Sequence, residues 1–289
     1  MLDFRVDTFL CVCKHMNYTR AADELGLTQP AVSQHIRYLE NIYGTKLFEY
    51  SAKQLRLTPQ GKLLKESLES MNHDLGRLKS EMTTMRTRRN LRIGATMSVG
   101  NYCINEQLAS FISSNPELNV SVTVADTKEL LSKLGDGQID FILCEGNFDK
   151  TKYNHQLIRN EEIVPFCSSS YDTEGITTLE SLFSHRIFLR EEGSGTREVF
   201  EAYLRERGFS VDCFEQHCDC NSPQVITNML KAGLGISFMY YTVGADAVDA
   251  GLLKTIRLTD FKLQHEFNAV WQKHSIYEDY YRDCIRSLL

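Results

Sequence analysis

The sequence predicts a multidomain α/β protein with an N-terminal winged helix-turn-helix, a long linker helix and a C-terminal two-lobed α/β domain. Three observations carry this. Two short amphipathic helices flank Gly26 near the N-terminus, and a polar-tipped pair of short strands follows them. Leu64, Leu68, Met71, Leu75, Leu78, Met82 and Met85 then recur at alternating spacings of four and three. From Leu91 onward, apolar strand-like runs alternate with helical stretches, as in a parallel sheet with crossover helices. The expected divisions are 1–58, 59–90 and 91–289.

A chain of 289 residues accommodates two or three domains. No apolar run approaches the roughly 20 residues of a membrane span, so no membrane partner is expected. Met1-Leu2-Asp3-Phe4-Arg5 lacks a basic leader, so it does not read as a secretory signal. Nine cysteines without framework spacing suit a reducing cytoplasm, the expected location. The net charge of −6 argues against a polyanionic partner until its distribution is seen. Residues 1–58 carry seven Lys/Arg against six Asp/Glu, 59–90 carry seven against four, and 91–289 carry 18 against 28. The first ninety residues tolerate phosphates; the acidic remainder serves another purpose.

Residues 4–16 place Phe4, Phe9, Leu10, Val12, Cys13 and Met16 largely on one helix face. A short helix follows, with Thr19 as the expected N-cap, Gly26 as terminator and small Ala21 and Ala22 for a close crossing. Thr28 caps the next helix, with Pro30 in its first turn, where a missing N–H costs nothing. Its Ala31, Val32, Ile36 and Leu39 face inward, leaving Gln29, Ser33, Gln34 and Arg37 outward. In a helix-turn-helix this second helix enters the major groove of double-stranded DNA. Gln29, Ser33 and Gln34 have the donors and acceptors to read base edges, while Arg20 and Arg37 suit phosphate. Residues 46–58 read as a wing, with Lys53 and Arg56 as phosphate contacts.

The run Ala21-Ala22, Leu25, Thr28-Gln29-Pro30-Ala31-Val32-Ser33, Ile36, Leu39-Glu40, Gly44, Leu47-Phe48, Leu57-Thr58-Pro59 and Gly61 resembles the DNA-binding domain of LysR-type transcriptional regulators over its full length. That family usually has Arg two residues after the Leu-Phe pair. Here Tyr50 stands there, offering a hydroxyl but no charge. Thr58-Pro59 opens a further helix, and its seam of Leu64, Leu68, Met71, Leu75, Leu78 and Met82 has polar flanks, too narrow a stripe for a globular core. It reads as a coiled-coil dimerisation helix ending in basic Arg86, Arg88 and Arg89, and it matches the linker helix the resemblance implies. A two-fold dimer predicts a pseudo-palindromic site, and many relatives assemble as tetramers.

In 91–289, strands are expected at 91–96, 120–124 and 139–144, then near 161–167, 186–191, 211–217, 235–240 and 267–271. Helices are expected between them, at about 178–184, 195–207 and 222–232 among others, with a last one at about 276–287. The two α/β halves resemble the LysR effector domain, itself similar to periplasmic solute-binding proteins. That resemblance implies lobe 1 at about 91–160 and 266–289, lobe 2 at about 161–265, and a hinge near 160 and 265. Ligands of open α/β sheets sit at the carboxyl ends of strands. The rule selects Thr96, Met97, Ser98, Asp126 and Glu145 in one lobe, and Ser194, Gly195, Thr196, Asn221 and Ser222 in the other. Hydroxyls opening helices can hold an anion, so the expected ligand is a small anion or carboxylate effector. Asp126 and Glu145 leave an amino acid open. Any one of these hydroxyls also suits a plain helix cap.

Cys213, Cys218 and Cys220, beside His217, supply the alternative of a redox sensor. Metal-site spacing is missing there, and no metal or other cofactor is expected. Neither a nucleophile elbow nor a phosphate or dinucleotide loop is present, so no catalytic residues are assigned and an enzyme is not expected.

Overall fold

The computed structural model describes residues 3–51, 54–83 and 90–289. Lys53, Met85 and the basic run Arg86, Arg88 and Arg89 lie outside the described residues.

The N-terminal head consists of α1 (Phe4–His15), α2 (Tyr18–Leu25), α3 (Gln29–Tyr43) and the hairpin β1 (Phe48–Ser51) and β2 (Gln54–Leu57). Phe9, Val12, Ala21, Ala22, Val32, Ile36 and Leu39 close its core, as their helical spacing requires. Thr28 caps α3 through the Ala31 N–H at 3.4 Å. The cap of α2 differs from expectation. Asn17, not Thr19, accepts from the Thr19 and Arg20 N–H groups at 2.9 and 3.1 Å. An Asn oxygen one residue outside the helix reaches both amides, whereas Thr19 is already inside it.

Helix α4 (Pro59–Thr83) leaves the head and lies along the C-terminal domain. The seam read from the sequence divides along it. Leu68 is buried in the head core with Leu64 partly buried beside it, whereas Met71, Leu78 and Met82 are exposed. The opposite face docks. His73 is fully buried between the Leu134 carbonyl at 2.6 Å and the Tyr281 hydroxyl at 2.9 Å. Asp74 accepts from Ser275 Oγ at 2.7 Å, and Glu69 pairs with Lys152 at 2.8 Å. The backbones nearly touch at Gly76 and Gly137, where a Cβ on either would collide with the other segment's backbone. Only glycine permits that approach.

The C-terminal domain begins with β3 (Asn90–Ala95), a π-helical turn at Val99–Cys103, α5 (Asn105–Ser114), β4 (Asn119–Val124), α6 (Thr127–Gly135) and β5 (Phe141–Cys144). There follow β6 (Tyr153–Ser168), β7 (Arg186–Arg190), α7 (Gly195–Glu206), β8 (Gln216–Cys220), α8 (Pro223–Lys231), β9 (Ser237–Tyr240), α9 (Tyr241–Asp249), β10 (Leu253–Thr255), β11 (Leu263–Gln272) and α10 (Glu278–Leu288). Strands β4, β3 and β5 run parallel, and β11 closes them antiparallel on β5. Long β6 pairs with β11 along its first half and with β9 and β10 along its second. These two strands therefore carry the sheet from one lobe into the other, and their register shifts between Phe267 and Asn268. Residues 160 and 265, near which a hinge is expected, lie on this pair, where Asn160 faces Glu266.

Several elements differ from the sequence reading. The strand expected near 161–167 starts at Tyr153, and the helix expected at 178–184 is a single 3₁₀ turn, Glu180–Leu182. Val211–Cys213 is also a 3₁₀ turn, with the strand displaced to Gln216–Cys220, so Cys213 does not share a strand with Cys218 and Cys220. Helix α9 and strand β10 were not anticipated, because Tyr241-Thr242-Val243-Gly244 mixes strand formers and glycine at a helix start.

Candidate functional site

Two surfaces gather the residues singled out in the sequence. On the head, α3 presents Gln29, Pro30, Gln34 and Arg37 exposed and Ser33 half-buried, with Gln29 Nε2 donating to Ser33 Oγ at 2.9 Å. Arg20 on α2, Thr28 before α3 and Arg56 on β2 are exposed as well. Tyr50 is 73% exposed at the wing. This face offers side-chain amides and hydroxyls on a helix flanked by guanidinium groups, the inventory needed to read base edges and hold phosphate.

The second surface is a cavity of about 330 Å³ between the lobes. Seven of the ten strand-end residues line it: Thr96, Met97, Asp126, Glu145, Ser194, Gly195 and Asn221. Ser98 and Thr196 are buried, their hydroxyl oxygens 3.5 Å apart across the lobes. Ser222 caps α8 through the Val225 N–H at 3.4 Å, and Asp126 caps α6 through the Glu129 N–H at 2.8 Å. For these two, the plain capping role is realised. Ser194 is different: it precedes α7, is 5% exposed and makes no capping hydrogen bond, leaving its hydroxyl and the first amides of α7 free for a guest.

Glu145 lies at the floor. It is buried, its carboxylate accepts from the Thr96 hydroxyl, and desolvation raises its pKa, opposed by the Thr96 and Ser98 hydroxyls and by Arg190. Gly195 lets α7 seat against it: a Cβ there would meet the Gly146 Cα at 2.9 Å. Arg190 is the cleft residue that sequence reasoning missed. Buried at the end of β7, it pairs with Glu191 at 2.8 Å and lines the cavity. The strand-end rule looked past the last strand residue, although a cation closing the run Ile187-Phe188-Leu189 was a usable signal. Glu129 and Glu191 at the rim were also missed.

Apolar side chains of both lobes share one buried cluster, whereas two polar contacts between the lobes are long. Tyr102 donates to Gln224 at 3.4 Å and Asn147 to Glu198 at 3.4 Å, both near the long limit of a hydrogen bond. The π-helical turn directly after Thr96–Ser98 places irregular backbone beside the cleft, a common feature of functional sites.

A head with a base-reading helix, joined through a docked helix to a two-lobed domain around a polar cleft, defines a DNA-binding regulator with a small-molecule domain. The family model for the LysR substrate binding domain matches residues 86–289, and that for the bacterial regulatory helix-turn-helix protein, lysR family, matches residues 5–62. The chain belongs to the LysR family of transcriptional regulators. It is similar to the transcriptional activator CmpR of Synechocystis sp., with 25% identity over 272 residues, covering 92% of this chain and 88% of CmpR. Its fold is similar to a variant of full-length OxyR from Pseudomonas aeruginosa, with TM-score 0.59, 17% identity and coverage of 99% and 98%. The CcmR regulatory domain from Synechocystis is similar over 70% of this chain and 96% of that domain, with TM-score 0.62 and 16% identity. Among the described residues, no helix is long and apolar enough to cross a membrane.

Proposed function

We infer that this regulator binds a pseudo-palindromic DNA site as a homodimer or homotetramer in the cytoplasm, under control of a small anion or carboxylate held between its lobes. The observation that carries the effector class is the convergence of Arg190, the uncommitted Ser194 hydroxyl and the N-terminus of α7 on one cavity. A regulatory domain of the same fold, that of CcmR, is recorded in complex with 2-PG. Asp126, Glu129 and Glu191 at the rim favour a guest that also carries an amino group, so amino acids belong in the same test. The relatives are transcriptional regulators, and no catalytic step is assigned to the cleft.

The docked face of α4 suggests how closure is relayed. Glu69, His73, Gly76 and Arg77 tie the linker to lobe 1, so linker and lobe 1 move as one body while lobe 2 swings on β6 and β11. The long cross-lobe hydrogen bonds of Tyr102 and Asn147 are ones a ligand's differential affinity for the two states can make or break. Cys213 and Cys218 are exposed, which is the observation behind the redox alternative.

A thermal-shift screen of the full-length protein against small carboxylates, amino acids and inorganic anions, with and without reductant, tests the assignment. A stabilising compound whose effect disappears in Ser194→Ala and Arg190→Gln supports the cleft. No response to any of them, with a melting temperature that follows oxidant and recovers with reductant, replaces it with cysteine sensing.

A further inference from the structure

Outside both surfaces, the head carries a cluster that neither DNA reading nor effector binding uses. Cys11 and His15 sit one turn apart on α1, and Glu24 faces them from α2. The Cys11 sulfur, a His15 ring nitrogen and a Glu24 carboxylate oxygen lie within 4.8 Å of one another. His15 Nε2 is 2.6 Å from Glu24 Oε2, and Lys14 Nζ donates to both Glu24 oxygens at 2.8 Å. Cys11 is buried beneath them, its thiol directed to the Ala21 carbonyl at 3.8 Å.

We propose that Cys11, His15 and Glu24 form a site for a zinc-class divalent transition ion that fastens α1 to the first helix of the helix-turn-helix. Thiolate, imidazole and carboxylate together suit a borderline-soft ion and do not suit magnesium or calcium. Metal bonds of about 2.0–2.3 Å place tetrahedral ligands about 3.5 Å apart. The three atoms reach that spacing by side-chain rotation, since the i, i+4 step already puts Cys11 and His15 on one face. A fourth position remains for water.

Binding is an exchange of partners without redox change. The Cys11 thiol gives its proton to solvent and its sulfur bonds the ion. His15 supplies a ring lone pair, and Glu24 trades the Lys14 ammonium for the metal. Burial raises the Cys11 pKa, so loading weakens as pH falls. Lys14 is 63% exposed and swings into water at little cost.

The test uses reduced full-length protein and cobalt(II) as the optical probe. One equivalent per chain should bind with a thiolate-to-metal charge-transfer band, and zinc should displace it. Cys11→Ser should abolish the band, while the triple variant Cys213→Ser, Cys218→Ser, Cys220→Ser should keep it. Because Cys11 is buried, His15→Gln and Glu24→Gln provide folded controls at the surface. Each should weaken cobalt binding at least about tenfold, the loss that even outer-shell partners produce. A band that survives Cys11→Ser or vanishes with the three lobe cysteines, unchanged affinity in both surface variants, or no thiolate band at all, overturns the site.

Discussion

Arg77 of the linker helix lies 2.7 Å from Asp140 at the foot of β5, an ion pair without hydrogen-bond alignment. Asp140 is fully buried and also accepts from the Arg92 guanidinium at 2.6 Å and the Arg92 N–H at 2.8 Å. The Arg77 guanidinium stacks near Tyr277 and Tyr280 at 4.4 and 5.0 Å. One carboxylate thus neutralises two cations from different elements. Removing it in Asp140→Ala leaves Arg92 without its carboxylate and Arg77 with only the more exposed Glu81, 3.0 Å away, and should cost about 3–5 kcal/mol. Urea unfolding of the full-length protein measures this; a loss under about 1 kcal/mol would show that the linker is not anchored there.

The same interface should respond to acid. The Leu134 carbonyl can only accept, so His73 carries its proton on Nδ1 and takes the Tyr281 O–H at Nε2. Burial depresses its pKa below 6.5. The folded state then binds fewer protons than the unfolded one, and stability is full above pH 6.5 and lost as pH falls below it toward the folded value. His265 is depressed by burial too, so the native slope contains both. The His73→Gln difference isolates one. Melting temperature between about pH 7 and pH 5 should fall less steeply in that variant; parallel curves would remove His73 from the response.

Glu145 has the opposite sign. Its raised pKa means the folded protein holds the proton more tightly, so stability is full below 4.5 and declines as pH rises through the folded value. Glu145→Gln removes the charge and should melt higher than the native protein at neutral pH, with the gap closing near about pH 4. Each kcal/mol relieved appears as about 2–4 °C. Equal midpoints at both pH values would mean that the carboxylate is not penalised in the cleft.

On the head, base reading and phosphate holding separate by salt. Gln29→Ala should cost about 1–3 kcal/mol on cognate DNA and little on random sequence. Arg37→Ala should weaken both and lower the slope of log affinity against log salt by about one. Fluorescence anisotropy at several salt concentrations distinguishes them. Equal losses for Gln29→Ala on both DNAs would deny it a base contact.

The head was legible because its signals are local: Gly26, the Thr28 cap and the Pro30 step each report on a neighbouring turn. The cleft was legible through strand ends, which placed Thr96, Glu145 and Ser194 around one cavity before any contact was known. Arg190 escaped because it ends a strand instead of following one. The docking of α4 was invisible for a different reason. His73 and Arg77 acquire their meaning from Tyr281 and Asp140, more than 60 residues away, and a heptad count records only the apolar side of the helix.

That apolar side remains to be used. Around a helix of 3.6 residues per turn, Met71, Leu75, Leu78 and Met82 lie roughly 100° to 180° away from His73 and Arg77. The clamp therefore leaves the stripe free, with Met71 51%, Leu78 44% and Met82 73% exposed. Two such stripes packed together would bury the side chains that Leu64 and Leu68, engaged in the head, cannot offer. The double variant Leu78→Lys and Met82→Lys should sediment as a monomer with its head still folded, whereas Leu68→Lys should unfold the head itself. An unchanged assembly in the double variant would move the dimer contact off the linker and onto the C-terminal domain.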